Sequence, residues 1–402
     1  MARYLFLTWD GSGNQTPTLG VAQALRARGH DVAFAGYESQ QARIAAQGFR
    51  FALLERSNAM LHIPANGNMM AALVAGVWAT PAHLDDVHDA VAREAPDLLV
   101  IDCLLFGALA AAEHHHLPAA VLVHSAPGLQ VPPGGPFERF VLLKPVNALR
   151  SAAGLPSVAS MWENWARFPT LCASLPALDP LAASAPPTFT YVGPIQEQLP
   201  VSGWHVPWPG DDLRPVVLVS FSAARVWDQT SRIQRTLTGL AERPVHVLVT
   251  ASTADTTQLT IPANACVVPF IPHAEVFPQT AVTVTHAGHG TITAALAHRV
   301  PVVCLPNTAS DQPALAAQVA SLGAGIALDG DTAPPEAIGD AVMLILADRS
   351  FATAARRLAA AIAAANAPVT AVTWLEALIT ASKPPASDGP IRAHSFPDTG
   401  AQ

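Results

Sequence analysis

The stretch VTVTHAGHGTITAALAHRVPVVCLPNTASDQ, residues 282–312, has the pattern of a strand, a turn, a helix and a second strand. Its first apolar run ends at His286, and the small residues Ala287 and Gly288 follow. An Ala-rich helical segment then leads to the apolar run VPVVCLP. Short apolar runs on either side of a helix are typical of a buried parallel sheet, so the stretch predicts an α/β fold.

The same alternation continues outward in both directions. In the first half the strand-like runs are RYLFLTW, DVAFAGY, FRFALL, DLLVID and AAVLVHS. The second half restarts the pattern with PVVLVSF, VHVLVTA, ACVVPF, AVTVTH, VPVVCLP and AGIAL. These two series predict two doubly wound, Rossmann-like domains, each with its functional side chains at the carboxyl ends of its strands.

One Pro- and Gly-rich segment without hydrophobic period separates the two series, and we predict a linker over residues 197–213. We therefore expect a first domain over 1–196 and a second over 214–378. Residues 125–190 are Pro-rich and irregular in pattern. The composition of residues 379–402 predicts a disordered tail.

Composition excludes several classes of protein. The chain has 402 residues, a formal net charge of −8, 13% charged residues and 50% hydrophobic residues. A negative charge spread without runs argues against a nucleic-acid partner. We find no apolar, charge-free stretch of about 18 residues and no leader peptide, and therefore expect a cytoplasmic protein without a membrane span. The four cysteines lie far apart, which predicts free thiols rather than disulfides or a zinc site.

The turn after His286 has the chemistry of a phosphate site. Gly288 lets a ligand approach the backbone closely, and His289, Gly290 and Thr291 open a helix. A helix amino terminus offers unpaired N–H groups and the positive end of a dipole, which suits a phosphate. A tight turn whose glycines serve packing alone remains the alternative.

The whole arrangement resembles the donor-binding motif of inverting nucleotide-sugar glycosyltransferases with the GT-B fold. It is most similar to the bacterial branch that modifies macrolides, aromatic polyketides and related natural products. The family pattern is H-x-G-x-G-T, an apolar helix, G-x-P and D-Q, and the matching residues here are His286, Gly288, Gly290, Thr291, Val300, Pro301, Asp311 and Gln312. The resemblance spans nearly all of residues 1–378.

This resemblance implies a role for each matched residue. His286 and the following turn would contact the diphosphate, and Asp311 with Gln312 would hold the sugar hydroxyls. Phe270 stands where the family stacks a ring on the base, and His273 stands at a usual glutamine. The implied donor-binding set is His286, Gly288, His289, Gly290, Thr291, Asp311, Gln312, Phe270, His273 and Ser222. The alternatives are a helix-cap role for Asp311 and a core position for Phe270.

Ala294 marks a departure from the family, which usually has a ribose-binding Glu there. A second departure is WDGSGNQTPT, residues 9–18, which follows the first strand. The family carries its general base in this turn, usually His, three residues before a proline. Asn14 holds that position, and Asp102 matches the acid that normally orients the His. We assign Asn14 and Asp102 to the catalytic set, although a carboxamide has no usable basic pKa and Asn14 cannot be the base.

Four explanations for the missing base remain open. Asp102 can act as the base, and we favour this reading together with an acidic acceptor. Asp10 on the same turn is the second candidate, and His124 after the fifth strand is the third. The fourth is a phenol or enol acceptor acidic enough to dispense with a base, whose contribution is typically ~10²–10⁴-fold.

The acceptor is expected in the first domain. Residues 58–83 carry Met and Trp with few charges, which suits an adaptable apolar pocket, although ordinary core is an equal alternative. With the stretch around Trp162 and Trp165, this region would fit a bulky, flat, hydrophobic molecule. The predicted acceptor-binding residues are Met60, Met69, Met70, Trp78 and His124.

These inferences predict a transferase that moves a sugar from UDP or dTDP to a hydroxyl of a hydrophobic, aromatic natural product, with inversion. We expect no cofactor and no metal, and we interpret EHHHLP, residues 113–118, as a solvated helix end. A non-catalytic nucleotide-sugar-binding protein is the alternative, favoured by the missing His and Glu. A hexosamine epimerase on the same fold is a third reading.

Overall fold

In a computed structural model, residues 1–11, 13–61, 68–222, 229–307 and 311–382 are described. The first domain is built on a seven-stranded parallel sheet in the order β3-β2-β1-β4-β5-β6-β7. Its strands are β1 (Arg3–Leu7), β2 (Asp31–Gly36), β3 (Arg50–Leu53), β4 (Leu98–Asp102), β5 (Ala119–Val123), β6 (Thr170–Cys172) and β7 (Phe189–Tyr191).

Helices cover both faces of this sheet. They are α1 (Gln15–Ala27), α2 (Glu38–Ala46), α3 (Glu55–Met60), α4 (Met69–Leu73), α5 (His83–Glu94), α6 (Phe106–His114), α7 (Pro127–Gln130), α8 (Leu143–Ala152) and α9 (Met161–Ala166). Two π-helical segments lie at Val74–Trp78 and Glu138–Leu142, and 3₁₀ turns lie at Pro176–Leu178 and Ala182–Ser184. Every residue of β4 and β5 is buried, as expected for parallel strands covered on both sides.

The second domain has a six-stranded parallel sheet in the order β10-β9-β8-β11-β12-β13. Its strands are β8 (Val216–Ser220), β9 (His246–Thr250), β10 (Ala265–Val268), β11 (Thr280–Thr285), β12 (Val302–Cys304) and β13 (Gly325–Ala327). The later helices are α10 (Thr230–Leu240), α11 (His273–Val276), α12 (His289–Ala297), α13 (Gln312–Ser321), α14 (Pro335–Ala347), α15 (Arg349–Ala365) and α16 (Ala367–Ser382), with 3₁₀ turns at Thr256–Gln258 and Phe277–Gln279. The predicted class, two Rossmann-like α/β domains, is confirmed.

The strand order changes direction between β1 and β4 in the first sheet and between β8 and β11 in the second. In the first sheet β1 lies beside β4, with Leu7 opposite Ile101, and β4 lies beside β5, with Asp102 opposite Leu122. In the second sheet β8 lies beside β11, with Ser220 opposite Thr285. The segments that follow these strands therefore gather at the carboxyl edges, where ligands bind in open α/β sheets.

The last helix, α16, returns to the first domain. Ala371, Val372 and Leu375 on α16 are fully or almost fully buried in the cluster that covers one face of the first sheet. The sequence analysis assigned residues 214–378 to the second domain, whereas α16, which begins at Ala367, packs on the first domain. The predicted tail begins inside α16, and residues 383–402 lie outside the described residues.

Arg349–Ala381 forms a helical stretch of 33 residues with a mean hydropathy of 1.5, long and apolar enough to cross a bilayer by those two criteria. The sequence analysis found no apolar segment of this length and therefore missed this helical stretch. Asn366, with φ +46°, divides this stretch into α15 and α16. Leu358 on α15 is buried in the second domain and Leu375 on α16 in the first, which is typical of amphipathic helices of a globular core.

The predicted linker, 197–213, contains neither helix nor strand. Its start is anchored to the first domain, because Glu197 pairs with Arg43 and accepts a hydrogen bond from Gln47 at 2.8 Å. Further along, Ser202 N donates to Glu275 Oε1 of the second domain at 2.7 Å. The chain therefore passes between the domains twice, once along this segment and once between α15 and α16.

Candidate active site

Asn14 is buried at the turn between β1 and α1 and is only 1% exposed. Its Nδ2 donates to the Trp9 carbonyl at 2.9 Å and to Asp102 Oδ2 at 3.2 Å. Its Oδ1 accepts from the Gly11 N–H at 3.1 Å. The amide thus closes the turn on itself and joins it to the end of β4.

Asp102, the last residue of β4, is 2% exposed and has both carboxylate oxygens occupied. Oδ1 accepts from Trp9 Nε1 at 3.1 Å and from the Leu104 N–H at 3.0 Å. Oδ2 accepts from Asn14 and, at 2.9 Å, from His124 Nδ1. Burial raises the pKa of Asp102, but the charge and hydrogen bond of His124 outweigh it, and the net pKa is lowered. An ionised, fully bonded carboxylate suits an orienting role better than the role of base that the sequence favoured.

His124 follows β5, and its side chain is 11% exposed. Besides its contact with Asp102, its Nδ1 lies 3.6 Å from Cys103 Sγ. Burial lowers the pKa of His124, yet the neighbouring Asp102 charge prevails and holds the pKa well above its usual value. An imidazole and a buried carboxylate in direct contact form a His–Asp pair, built from β5 and β4 rather than from the first turn.

Asp10 belongs to a different environment. It is exposed, and its Oδ1 accepts a hydrogen bond from Gln15 Nε2 at 2.9 Å. Its carboxylate therefore interacts with the first turn of α1, whereas the buried side of the turn is occupied by Asn14 and Asp102.

The turn after β11 brings His286 and Gly288 into close contact. A Cβ on Gly288 would lie 2.4 Å from His286 Nε2, so only glycine lets the ring lie over the turn. Ala287 is held at φ +64°, a left-handed conformation that is costly outside glycine and concentrates at functional sites. Burial lowers the pKa of His286 to about 4, with a further contribution from Arg232. His286 is therefore neutral at pH 7 and can only contact a phosphate through a hydrogen bond.

The start of α12 faces the first domain. His289 Nε2 lies 2.9 Å from Ser174 Oγ, on the segment after β6. Gln196 Nε2 donates to the Gly290 carbonyl at 3.2 Å and to Thr293 Oγ1 at 3.3 Å. Gly288, His289, Gly290 and Thr291 are all half-buried, so this helix start borders the cleft between the domains.

Asp311 stands at the N-cap position of α13 without capping the helix. Burial raises its pKa, whereas the His124 charge and the Ser125 hydroxyl across the cleft lower it. Gln312 is buried, and its Oε1 accepts from the N–H of Asn307 at 3.0 Å and from its Nδ2 at 2.9 Å. The first turn of α13 is thus fixed by Gln312, and the Asp311 carboxylate is not used to cap it.

The remaining donor-side candidates divide by exposure. Phe270 is 66% exposed, which contradicts the alternative of a core position. His273 Nε2 lies 3.2 Å from Ser220 Oγ, and burial lowers the pKa of His273 to about 4. Ser222 is half-buried two residues beyond β8. Ala294 is 3% exposed within the core, so no ribose contact comes from its position.

The predicted acceptor residues do not form one uniform surface. Met60 is 58% exposed, Met69 and Met70 are half-buried, and residues 62–67 lie outside the described part of the chain. Trp78 is 4% exposed and packs edge-on against Trp9, with ring centroids 5.4 Å apart. Trp78 therefore stands directly behind the residue that donates to Asp102.

Trp162 and Trp165 are core residues, and their predicted place in the acceptor pocket is wrong. They are 5% and 0% exposed, respectively. Trp165 Nε1 donates to the Cys103 carbonyl at 2.8 Å, and Trp162 Nε1 donates to the Pro127 carbonyl at 3.4 Å. Both rings thus support the segment behind His124 instead of facing a ligand.

Comparison with known proteins decides the family. The chain is 30% identical to 4'-demethylrebeccamycin synthase of Lentzea aerocolonigenes over 426 residues, covering 94% of this chain and 100% of that protein. It is 26% identical to demethyllactenocin mycarosyltransferase of Streptomyces fradiae, over 94% of this chain and 87% of that protein. The family described as erythromycin biosynthesis protein CIII-like, C-terminal domain, matches residues 234–378. This chain belongs to the glycosyltransferases of antibiotic pathways.

Solved structures agree on the GT-B fold of this glycosyltransferase. The glycosyltransferase of kitacinnamycin matches with a TM-score of 0.78 and 22% identity, over 94% of this chain and 98% of that one. The calicheamicin glycosyltransferase CalG4 matches with a TM-score of 0.77 and 24% identity, over 96% of this chain and 100% of that one.

Sequence reasoning missed several residues of the glycosyltransferase site. Trp9 and Cys103 contact Asp102 and His124, while Ser174 and Gln196 bridge the cleft to α12. Trp9 ends the predicted strand run RYLFLTW and Cys103 directly follows the run DLLVID, so their places at the carboxyl edge could have been inferred. Ser174 follows a strand that the sequence did not reveal, and no signal pointed to it.

One group in the described residues has metal-ligand geometry, namely Asp102, Cys103 and His124, with ligand atoms within 4.8 Å of one another. Burial raises the pKa of the Cys103 thiol and keeps it protonated. Because both Asp102 oxygens are also committed to hydrogen bonds, the donor set fits an internal hydrogen-bond network and not a divalent cation.

In EHHHLP, His114 and His115 contact the separate carbonyls of Ala153 and Leu84.

Proposed function

We propose that this glycosyltransferase moves a sugar from UDP or dTDP to a hydroxyl of a bulky, hydrophobic, aromatic natural product, with inversion at the anomeric carbon. The nucleotide sugar is a co-substrate, and the reaction needs neither a metal ion nor another cofactor. The acceptor lies against the first domain, the donor lies against the second, and the enzyme works in the cytoplasm.

One observation carries this proposal. The Asp102–His124 pair of the first domain and Asp311 of the second face each other across the cleft, close enough for His124 to lower the pKa of Asp311. A direct transfer between two bound substrates requires a base beside the acceptor and groups that hold the donor sugar opposite it. The His–Asp pair can supply the first, and the Asp311 carboxylate, which does not cap α13, can supply the second. The half-buried start of α12 lies at the same cleft and offers N–H groups to a diphosphate.

The proposal is tested with the purified full chain, UDP- and dTDP-sugars, and a panel of phenols and aliphatic alcohols. Mass spectrometry detects the glycoside, and the proton coupling at the anomeric carbon gives its configuration. We expect a glycoside of inverted configuration, formed equally well after treatment with a chelator. Retention of configuration, or dependence on an added metal, would overturn the corresponding part of the proposal.

Donor binding without transfer to any acceptor would instead support the non-catalytic alternative. Calorimetry with the same nucleotide sugars separates this outcome from a failure to bind donor at all.

A further inference from the structure

The pair formed by His124 and Asp102 resolves the question raised by Asn14. Asn14 lies where a base is expected but has no proton-accepting nitrogen, and its amide is already bonded to Trp9, Gly11 and Asp102. Asp102 Oδ2 receives His124 Nδ1 at 2.9 Å from the neighbouring strand end. A carboxylate on Nδ1 fixes the hydrogen there and leaves Nε2 as the proton acceptor.

We propose that His124 is the general base of the transfer and that Asp102 is its positioning residue. Asn14 holds Asp102 in place and completes the turn. This inference rests on the proposed function and specifies how the acceptor hydroxyl is activated.

Nε2 of neutral His124 takes the proton of the acceptor hydroxyl as the oxygen attacks the anomeric carbon. A carbon–oxygen bond to the acceptor forms, the bond from that carbon to the diphosphate breaks, and the electron pair leaves on the diphosphate. Asp102 stabilises the imidazolium until its proton passes to water.

The surroundings of His124 place it at the reacting end of the cleft. Its charge acts on Asp311 and on His289, both in the second domain. The titratable groups around His124 are therefore Asp102 and Cys103 on its own side and Asp311 and His289 opposite. Burial and His124 together lower the pKa of His289 to about 3, so His289 stays neutral and does not compete for the proton.

The pH profile follows from the same contacts. Because the Asp102 charge raises the pKa of His124 well above its ordinary value, the imidazole of the free enzyme keeps its proton to a higher pH than an ordinary histidine does. Protonated His124 cannot accept a proton, so activity should rise with pH along an acid limb centred above about 6.5, the ordinary pKa of His. Asp102→Asn removes that charge and should move the limb to lower pH while reducing the rate.

The decisive variant is His124→Gln, assayed with one aliphatic alcohol and one nitrophenol. We expect the alcohol rate to fall by ~10²–10⁴-fold, the usual contribution of a general base, and the nitrophenol rate to fall less. Calorimetric affinity for the donor should remain, and the acid limb should disappear. His114→Gln, which changes a histidine that contacts the Ala153 carbonyl, is the matched control and should keep the wild-type rate and pH profile.

A rescue variant guards against a folding defect. The side chain at position 14 already lies 3.2 Å from Asp102 Oδ2, so Asn14→His combined with His124→Gln offers that oxygen a new imidazole. Recovery of alcohol transfer above the His124→Gln rate would support the proposal. If His124→Gln binds donor and retains the full alcohol rate with an unchanged acid limb, His124 is not the base. If the wild-type protein transfers to no acceptor, the proposed function itself fails.

Discussion

Replacing Asn14 by Ala separates its structural role from the chemistry. The change removes the hydrogen bonds that Nδ2 donates to the Trp9 carbonyl and to the charged Asp102 carboxylate, and the bond that Oδ1 accepts from the Gly11 N–H. A long contact of 3.5 Å from Nδ2 to Thr8 Oγ1 is lost as well. Net contributions of about 0.5–1.5 kcal/mol for each of two neutral bonds and about 1.5–3 kcal/mol for the bond to a charge sum to about 2.5–6 kcal/mol. At about 2–4 °C per kcal/mol for domains of this size, the melting temperature should fall by at least about 5 °C.

Calorimetric or fluorescence melting measures this loss, and Asn58→Ala is the matched control. Asn58 Oδ1 accepts one hydrogen bond at an exposed site, at 3.1 Å from the Glu38 N–H, so its loss should cost less than about 1 kcal/mol. Below its melting temperature, Asn14→Ala should still transfer sugar to phenols, because Asp102 keeps its bonds to Trp9, Leu104 and His124. A melting temperature equal to that of the wild type, or complete loss of transfer from a folded variant, would refute this reasoning.

Three further predictions concern the donor side. His286→Ala should weaken nucleotide-sugar binding in calorimetry, and unchanged affinity in this variant would contradict the assignment. Because burial lowers the pKa of His286 to about 4, titration of this ring should not change the affinity of the wild-type protein between pH 6 and 8. Asp311→Ala should abolish transfer and spare affinity for the free nucleoside diphosphate, with the capping residue Asp348 changed to Ala as a control that affects stability alone; equal loss of both properties would indicate a structural role. Phe270→Ala should weaken nucleotide binding by about 1–3 kcal/mol, the value of a base–aromatic stack, without changing the melting temperature, whereas the similarly exposed Phe140→Ala should change neither; a lowered melting temperature without loss of affinity would contradict stacking.

The strands that sequence reasoning found are those with continuous apolar runs. Each strand-like run identified from the sequence is a strand, because a parallel strand covered on both faces needs apolar residues throughout. The strands β6 and β7 were missed because each has three residues and lies in the Pro-rich segment 125–190. The docking of α16 on the first domain was also missed, because an amphipathic pattern does not specify which surface it covers.

The site was predictable to the extent that it is local in sequence. The turn from His286 to Thr291 and the positions of Asn14 and Asp102 follow from strand ends and motif spacing. The contact between His124 and Asp102 depends on the direction of two side chains on neighbouring strands, so the sequence left His124 as one option among four. The sequence analysis placed Trp162 and Trp165 in the acceptor pocket, whereas both side chains are buried in the core. A stretch rich in aromatic residues has the same composition in a core as in a pocket, so composition cannot separate the two.

The return of α16 to the first domain determines how this enzyme can be recombined with its relatives. An exchange of the donor domain that ended at the chain terminus would remove Ala371, Val372 and Leu375 from the first domain and expose the surface they cover. A functional chimaera should therefore take its second segment from the linker only as far as Asn366 and retain the α16 of its acceptor-side parent.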